Sequence, residues 1–241
     1  SYTYVPSTNF NGAVPQVTYT ITDGVSTAST TLDINVTPVN DSPLALVDTN
    51  VTDEDVPLNV SALNGLLNND SDPEGNTLTV TQFTINGTVY TAGLTATITE
   101  VVIKVNGDGS YDFTPALNYN GAVPVVNYTI SDGTNTANST LTLSINPIND
   151  APTAVLDTNN TDEDVTLTVS GANGVLKNDS DIDANSITVT QFVIGTTTYI
   201  AGNPAVITEG TLTINTDGGY TFVPATNFNG VVPTVMYEAT D

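Results

Sequence analysis

The chain has 241 residues and sets 2 Lys+Arg against 26 Asp+Glu, a formal net charge of −24, with no His, no Cys and no Trp. Within it no Ser-His-Asp or Cys-His nucleophile can be assembled, and no zinc site of the usual nitrogen and sulfur ligands. Lys104 and Lys177 are the only basic side chains, too few to neutralise phosphates, so nucleic acid and anionic membrane surfaces are excluded as partners.

Taken in chain order, short runs of period two dominate. Leu32, Ile34 and Val36 alternate with Asp33 and Asn35, which predicts a half-buried strand. Further strands are expected near residues 56–60, 78–83, 101–105, 111–114 and 126–130, and then through Leu141, Leu143 and Ile145. Turn formers separate them, as in Asn106-Gly107-Asp108-Gly109 and Ser131-Asp132-Gly133. No helical pattern exceeds a turn. Seven or so Thr-rich strands in about 100 residues read as an all-β, Greek-key β-sandwich. The 39% hydrophobic content argues against disorder despite the charge. No run approaches the roughly 20 apolar residues of a membrane span, and no signal-peptide pattern opens the chain. The absence of Cys rules out disulfides, which is common in the cytosol and also suits a protein exported unfolded and stabilised outside by metal.

Sliding the chain against itself at an offset of 109 exposes a tandem array. Tyr2-Thr3-Tyr4-Val5-Pro6 returns as Tyr111-Asp112-Phe113-Thr114-Pro115 and as Tyr220-Thr221-Phe222-Val223-Pro224. Asn9-Phe10-Asn11-Gly12 returns as Asn118-Tyr119-Asn120-Gly121 and as Asn227-Phe228-Asn229-Gly230. The expected division is the end of one repeat at 1–40, a complete repeat at 41–149 and a repeat without its last strand at 150–241, all cut from a longer array. Tyr111, Phe113, Tyr119 and Tyr128 recur as Tyr220, Phe222, Phe228 and Tyr237. Their alternate spacing marks them as core residues rather than a sugar-stacking platform.

Of the 26 carboxylates 20 are Asp, and they gather in four clusters that recur in register. The first is Asp53-Glu54-Asp55, returning as Asp162-Glu163-Asp164. The second is Asp70-Ser71-Asp72-Pro73-Glu74-Gly75-Asn76, returning as Asp179-Ser180-Asp181-Ile182-Asp183-Ala184-Asn185. The third is Asn40-Asp41, returning as Asn149-Asp150. The fourth is the Asp that closes a Tyr-x-x-x-Asp strand: Asp23, Asp132 and Asp241. Acids at alternate loop positions can aim oxygens to one side, as calcium loops require. The second cluster is no EF-hand, because Thr81 and Thr190 stand where a bidentate Glu would be needed. Lys104 and Lys177 align with Thr213 and Asn68, so no Lys recurs to support an isopeptide crosslink in each repeat.

The Asn-Asp-x-Pro junctions, the Thr-Asp-Glu-Asp segment, the Asn-Asp-x-Asp-x-Asp/Glu loop and the Tyr-x-x-x-Asp-Gly motif together resemble the cadherin-like repeats of very large bacterial surface adhesins, of the VCBS or RTX-adhesin type. The resemblance spans the whole chain and implies a cadherin/immunoglobulin-like fold with Ca2+ held between successive domains. By this likeness Asp53, Glu54 and Asp55 are the base acids of one domain and Asn149-Asp150 is the linker. Asp179, Asp181, Asp183, Asn185 and Asp241 are then top-loop ligands of the next domain; one repeat earlier Asn40-Asp41 is the linker and Asp70, Asp72, Glu74, Asn76 and Asp132 are the top-loop ligands. Where cadherins carry a second acidic motif, this chain has Asn118 and Asn120, which implies fewer or weaker ions. Ala184 in place of Gly75 sets the second copy of the loop apart from the first.

The expected function is a calcium-stiffened spacer of a secreted or cell-surface adhesin or fibre, without enzymatic activity. Its expected partners are neighbouring repeats and other copies in a fibre. Alternatively the repeats are themselves the adhesive surface, for carbohydrate or for a like protein, or they decorate an enzyme elsewhere in the full chain.

Overall fold

The period-two runs become strand ladders in a computed structural model that describes every residue, Ser1–Asp241. The chain forms two units, Ser1–Pro147 and Ile148–Asp241. Four strands open the first: β1 (Gly12–Ala13), β2 (Val17–Thr22), β3 (Thr27–Leu32) and β4 (Asn35–Val36). β2 and β3 make an antiparallel hairpin from Val17↔Leu32 to Thr22↔Thr27, and β1 pairs with β4. The strand expected through Leu32, Ile34 and Val36 is therefore broken in two. Opposite the break stands Pro15, which has no N–H to continue the ladder, and Gln16 Nε2 donates instead to the Asp33 carboxylate at 2.9 Å.

Nine strands follow, two more than the sequence suggested: β5 (Asp48–Asp53), β6 (Leu58–Val60), β7 (Thr79–Ile85), β8 (Thr88–Thr91), β9 (Thr95–Thr97), β10 (Val101–Val105), β11 (Tyr111–Pro115), β12 (Val126–Ser131) and β13 (Thr136–Asn146). They form two sheets, ordered β6-β11-β10-β9 and β5-β13-β12-β7-β8. All pairings are antiparallel except β5 with β13, which is parallel from Leu141↔Asp48 to Asn146↔Asp53. The inward residues of both sheets form one core, including Phe83, Ile103, Phe113, Val126, Tyr128, Ile130 and Leu141, all essentially without exposure. Burying each such side chain contributes about 1.5–3 kcal/mol, which is why the alternation fixes the register. The segment after β6 packs tightly on the β10–β11 turn at Gly65: a Cβ there would lie 2.2 Å from the Gly109 carbonyl oxygen, which accepts the Leu66 N–H.

The second unit repeats this plan with β14 (Leu167–Val169), β15 (Thr188–Ile194), β16 (Thr197–Ile200), β17 (Ala205–Ile207), β18 (Gly210–Ile214), β19 (Tyr220–Pro224) and β20 (Val235–Thr240). Its sheets are β14-β19-β18-β17 and β16-β15-β20. Its core centres on Phe192, Leu212, Ile214 and Phe222. Phe192 stacks on Tyr199 at 5.4 Å between ring centroids, as Phe83 does on Tyr90 at 5.3 Å. Residues 157–162, which align with β5, form no strand. β5 is held by β13 alone, and this unit has no counterpart of β13. Val235, Tyr237 and Ala239 are accordingly only half-buried, where Val126, Tyr128 and Ile130 are fully buried.

Candidate metal sites

Near the start of β13, three acidic and amide side chains knit around Asn40. Its side-chain nitrogen donates to Asp132 at 2.7 Å, its side-chain oxygen accepts from Asn76 at 2.8 Å, and its carbonyl accepts from Asn135 at 3.0 Å. The Asp41 N–H donates to Glu74 Oε2 at 3.0 Å. Asp72 Oδ1 accepts the N–H groups of Glu74 and Asn76, which folds the loop back on itself. Its other oxygen, Oδ2, is buried and has no hydrogen-bond partner. Such an orphan oxygen is costly unless something positive meets it.

The second unit reproduces this set with its own residues. Asn149 donates to Asp241, Asn185 donates to Asn149 at 2.6 Å, and the Asp150 N–H donates to Asp183 at 2.7 Å. Asp181 Oδ1 accepts the Asn185 N–H, and Asp181 Oδ2 is buried without a partner. Hydrogen bonds hold Asp132 and Asp241 below the ordinary carboxylate range, from the Thr134 backbone and the Asn149 side chain respectively. Both acids therefore stay charged and available to a cation.

Asp53, Glu54 and Asp55 lie at the far end of β13. Asp53 closes β5 and accepts from Asn146 at 2.9 Å, while the Glu54 N–H donates to the Asn146 carbonyl. Glu54 is 3% exposed. The chain turns at Asp55, whose φ is 60°. The positions where an acidic motif was missed in the sequence come to the same place: Asp55 Oδ1 accepts the Asn118 N–H at 2.8 Å, and Glu54 Oε2 accepts from Asn120 at 3.2 Å. Asp164 with Asn227 and Glu163 with Asn229 repeat these bonds.

Asp70 and Asp179 behave differently from their loop neighbours. Asp70 Oδ1 accepts the Leu46 N–H at 2.8 Å, and its buried Oδ2 has no partner. Asp48, absent from the sequence-based set, is the nearby charge. It accepts from the Tyr128 hydroxyl at 2.6 Å and from Asn69 at 3.2 Å. Burial pushes Asp48 and Asp70 upward, and for Asp70 the neighbouring Asp48 charge adds to the effect. Tyr128 is raised too, first by burial and then by its bond to Asp48. In the second unit the Tyr237 hydroxyl lies 2.9 Å from Asp179 Oδ2, its nearer acceptor, and 3.3 Å from Asp157. Recurrence of Asp48-Thr49-Asn50 as Asp157-Thr158-Asn159 was the available signal for this cluster.

These donors are carboxylate, amide and carbonyl oxygens in irregular loops at strand ends. That chemistry suits a hard cation of flexible coordination, Ca2+ before Mg2+, and the buried orphan oxygens of Asp72 and Asp181 fit it.

A sequence model of the bacterial cadherin-like domain matches residues 40–147 and again 149–241. That match is coarser than the VCBS or RTX-adhesin classes expected from the motifs. No curated protein matches the chain by sequence. Similar solved structures include repeats EC1-3 of mouse protocadherin-24, at 12% identity and a TM-score of 0.45 over 95% of this chain and 79% of that one. An endo-fucoidan hydrolase of glycoside hydrolase family 107 is similar at 11% identity and a TM-score of 0.30 over 87% of this chain. The chain spans 30% of the hydrolase's length. No helix is long and apolar enough to cross a membrane.

Proposed function

Because the chain belongs to the bacterial cadherin-like domain family, we propose that it is a spacer segment of an extracellular or cell-surface adhesin, stiffened by calcium. The observation that carries this reading is the recurrence, 109 residues apart, of an oxygen-donor loop whose second acid keeps a buried, unpartnered carboxylate oxygen: Asp72 Oδ2 and Asp181 Oδ2. Asp41, Asp72, Glu74, Asn76 and Asp132 would hold the ion at the head of one repeat. Asp150, Asp181, Asp183, Asn185 and Asp241 would hold it at the head of the next. Asp53, Glu54 and Asp55 offer acids at the other end. A bound cation supplies the positive charge that lets these acids sit side by side, which ties each loop to its neighbours.

An ion that binds only the folded loops stabilises them by about 2.7 kcal/mol at a hundredfold excess over its Kd. Extracellular-class sites bind at roughly 10⁻⁴–10⁻³ M, so the repeats would load outside the cell. The partners in this reading are neighbouring repeats and further copies in a fibre. It is a binding and spacing role rather than an enzymatic one, supported by acids engaged with backbone amides of turns instead of facing each other across a cleft.

Asp181→Asn tests it, since the amide oxygen can still accept the Asn185 N–H while the charge is lost. In chelator its Tm should equal or exceed that of the wild type, and its rise on adding calcium should be smaller. A wild type that melts alike with and without calcium overturns the calcium role. An unchanged small-angle scattering profile under the two conditions overturns the stiffening.

A further inference from the structure

Loss of ammonia from an asparagine side chain begins when the backbone nitrogen of the next residue attacks Cγ. The step therefore needs an uncrowded following residue, an N–H not already spent on a hydrogen bond, and a chain able to bend into a five-membered ring. Glycine after asparagine meets the first need, and the chain has seven such pairs. The structure separates them by the other two.

In Asn64-Gly65 and Asn173-Gly174 the glycine N–H donates to a carbonyl, of Ala62 and Gly171 respectively. Asn106-Gly107 is locked in a closed turn, with Asn106 N–H on Ser110 O, Gly109 N–H on Asn106 O, and the Asn106 side chain on Ser110 Oγ. Asn86-Gly87 is pinned as a two-residue hairpin loop between Ile85 and Thr88. Asn11-Gly12 runs into β1.

Asn120-Gly121 and Asn229-Gly230 are different. Both lie in the irregular chain between neighbouring strands, β11 to β12 and β19 to β20; neither glycine N–H has an acceptor, and unlike Gly87 and Gly107, whose N–H groups also lack one, neither glycine sits in a closed turn. Gly121 is also held in place by packing. A Cβ there would meet the Tyr119 hydroxyl at 2.6 Å, and that hydroxyl is fixed by donating to the Ala122 carbonyl. A larger residue at 121 would push the Tyr119 hydroxyl off the Ala122 carbonyl, so the local packing favours the glycine that makes Asn120 reactive.

We propose that Asn120 and Asn229 are self-modification sites, at which the acidic base of each repeat gains a carboxylate by deamidation. The nitrogen of Gly121 bonds to Cγ of Asn120, the Cγ–Nδ2 bond breaks, and the nitrogen's proton leaves with the ammonia. Water then adds across one C–N bond of the succinimide to give Asp or isoaspartate, with no change of oxidation state. The product removes the amide that donates to Glu54 and sets a further negative group beside Glu54 and Asp55. Without a cation the three acids repel; with one, the new carboxylate is an additional hard ligand. That consequence rests on the calcium reading above, whereas the modification does not.

Aging the 241-residue chain in mildly alkaline buffer, followed by peptide mapping on a mass spectrometer, tests the modification. Asn120 and Asn229 should convert several-fold faster than Asn64, Asn106 and Asn173. Conversion of any of those three ahead of Asn120 overturns the assignment. Asn120→Gln, which keeps the amide donor but forms the ring far less readily, should block conversion at that position alone. Asn120→Asp tests the consequence: its Tm should fall in chelator, and calcium should raise it more than it raises the wild type. If the variant melts as the wild type does under both conditions, the consequence is overturned. A wild type indifferent to calcium would overturn the calcium reading and leave the mass-spectrometric result standing.

Discussion

Position 184 shows how one side chain sets the cost of a loop. Gly75 turns the acidic loop of the first unit with φ of 75°, and Ala184 makes the same turn in the second with φ of 61°. A left-handed conformation costs a residue with a Cβ roughly 1–2 kcal/mol, part of which glycine gives back through its greater freedom in the unfolded chain. Ala184→Gly should therefore stabilise the second unit by about 0.5–1 kcal/mol, read as a shift in the denaturation midpoint without a change in slope. Gly75→Ala should do the reverse in the first unit. No atom lies within 4 Å of where its Cβ would stand, so that penalty is backbone strain and not a clash. Equal midpoints for wild type and Ala184→Gly would show that the loop relaxes to relieve the strain. Asp55 and Asn118 also adopt positive φ, but these are residue types that visit that region more readily.

β5 shows how one element couples the acids to the core. It begins at Asp48, under the Tyr128 hydroxyl, and ends at Asp53, beside Asn146. Burial raises Asp48 above its ordinary 3.8. Between that value and the raised one, the folded chain holds a proton that the unfolded chain lacks, so stability rises as pH falls through that window. Asp132 is shifted the other way, and its contribution is lost only as pH falls below 3.8. In chelator, Tm should thus climb as pH falls toward 3.8 through the window that the raised Asp48 opens above it, before acid unfolding sets in. Asp48→Asn, which can still accept the Tyr128 hydroxyl, should flatten the climb, and a flat wild-type profile would contradict it. This strand was not legible in the sequence: its one aliphatic residue, Val51, is 50% exposed, because the inward positions are taken by Asp48, Asn50 and Thr52. β7, β10, β11 and β12 were legible because their alternating aliphatic and aromatic residues all face the core. The acidic loops were legible through recurrence alone. What recurrence could not give was pairing across long separations, such as Asp48 with Tyr128 or Glu54 with Asn120, since only the folded sheets bring those residues together.

At the scale of the whole chain the question is whether 24 excess negative charges are merely tolerated or are held by particular ions. Like charges spread over a folded surface destabilise it, and any salt relieves that cost, because the Debye length is about 10 Å at 0.1 M and about 3 Å at 1 M. Sodium chloride should therefore raise Tm in chelator gradually, with no saturation tied to a site. Calcium bound by Asp72, Asp181 and their neighbours has a different signature. It should raise Tm steeply at millimolar concentration, beyond sodium at the same ionic strength, and then level off as the sites fill. Magnesium should fall between the two, since it demands near-octahedral geometry and gives up its water reluctantly, while these loops offer irregular sets of amide, carbonyl and carboxylate oxygens. Melting curves in the three salts at matched ionic strength make the comparison. If calcium and sodium coincide, the charge is a solvated surface and the buried oxygens of Asp72 and Asp181 are met by water; a saturating excess for calcium alone assigns them to an ion.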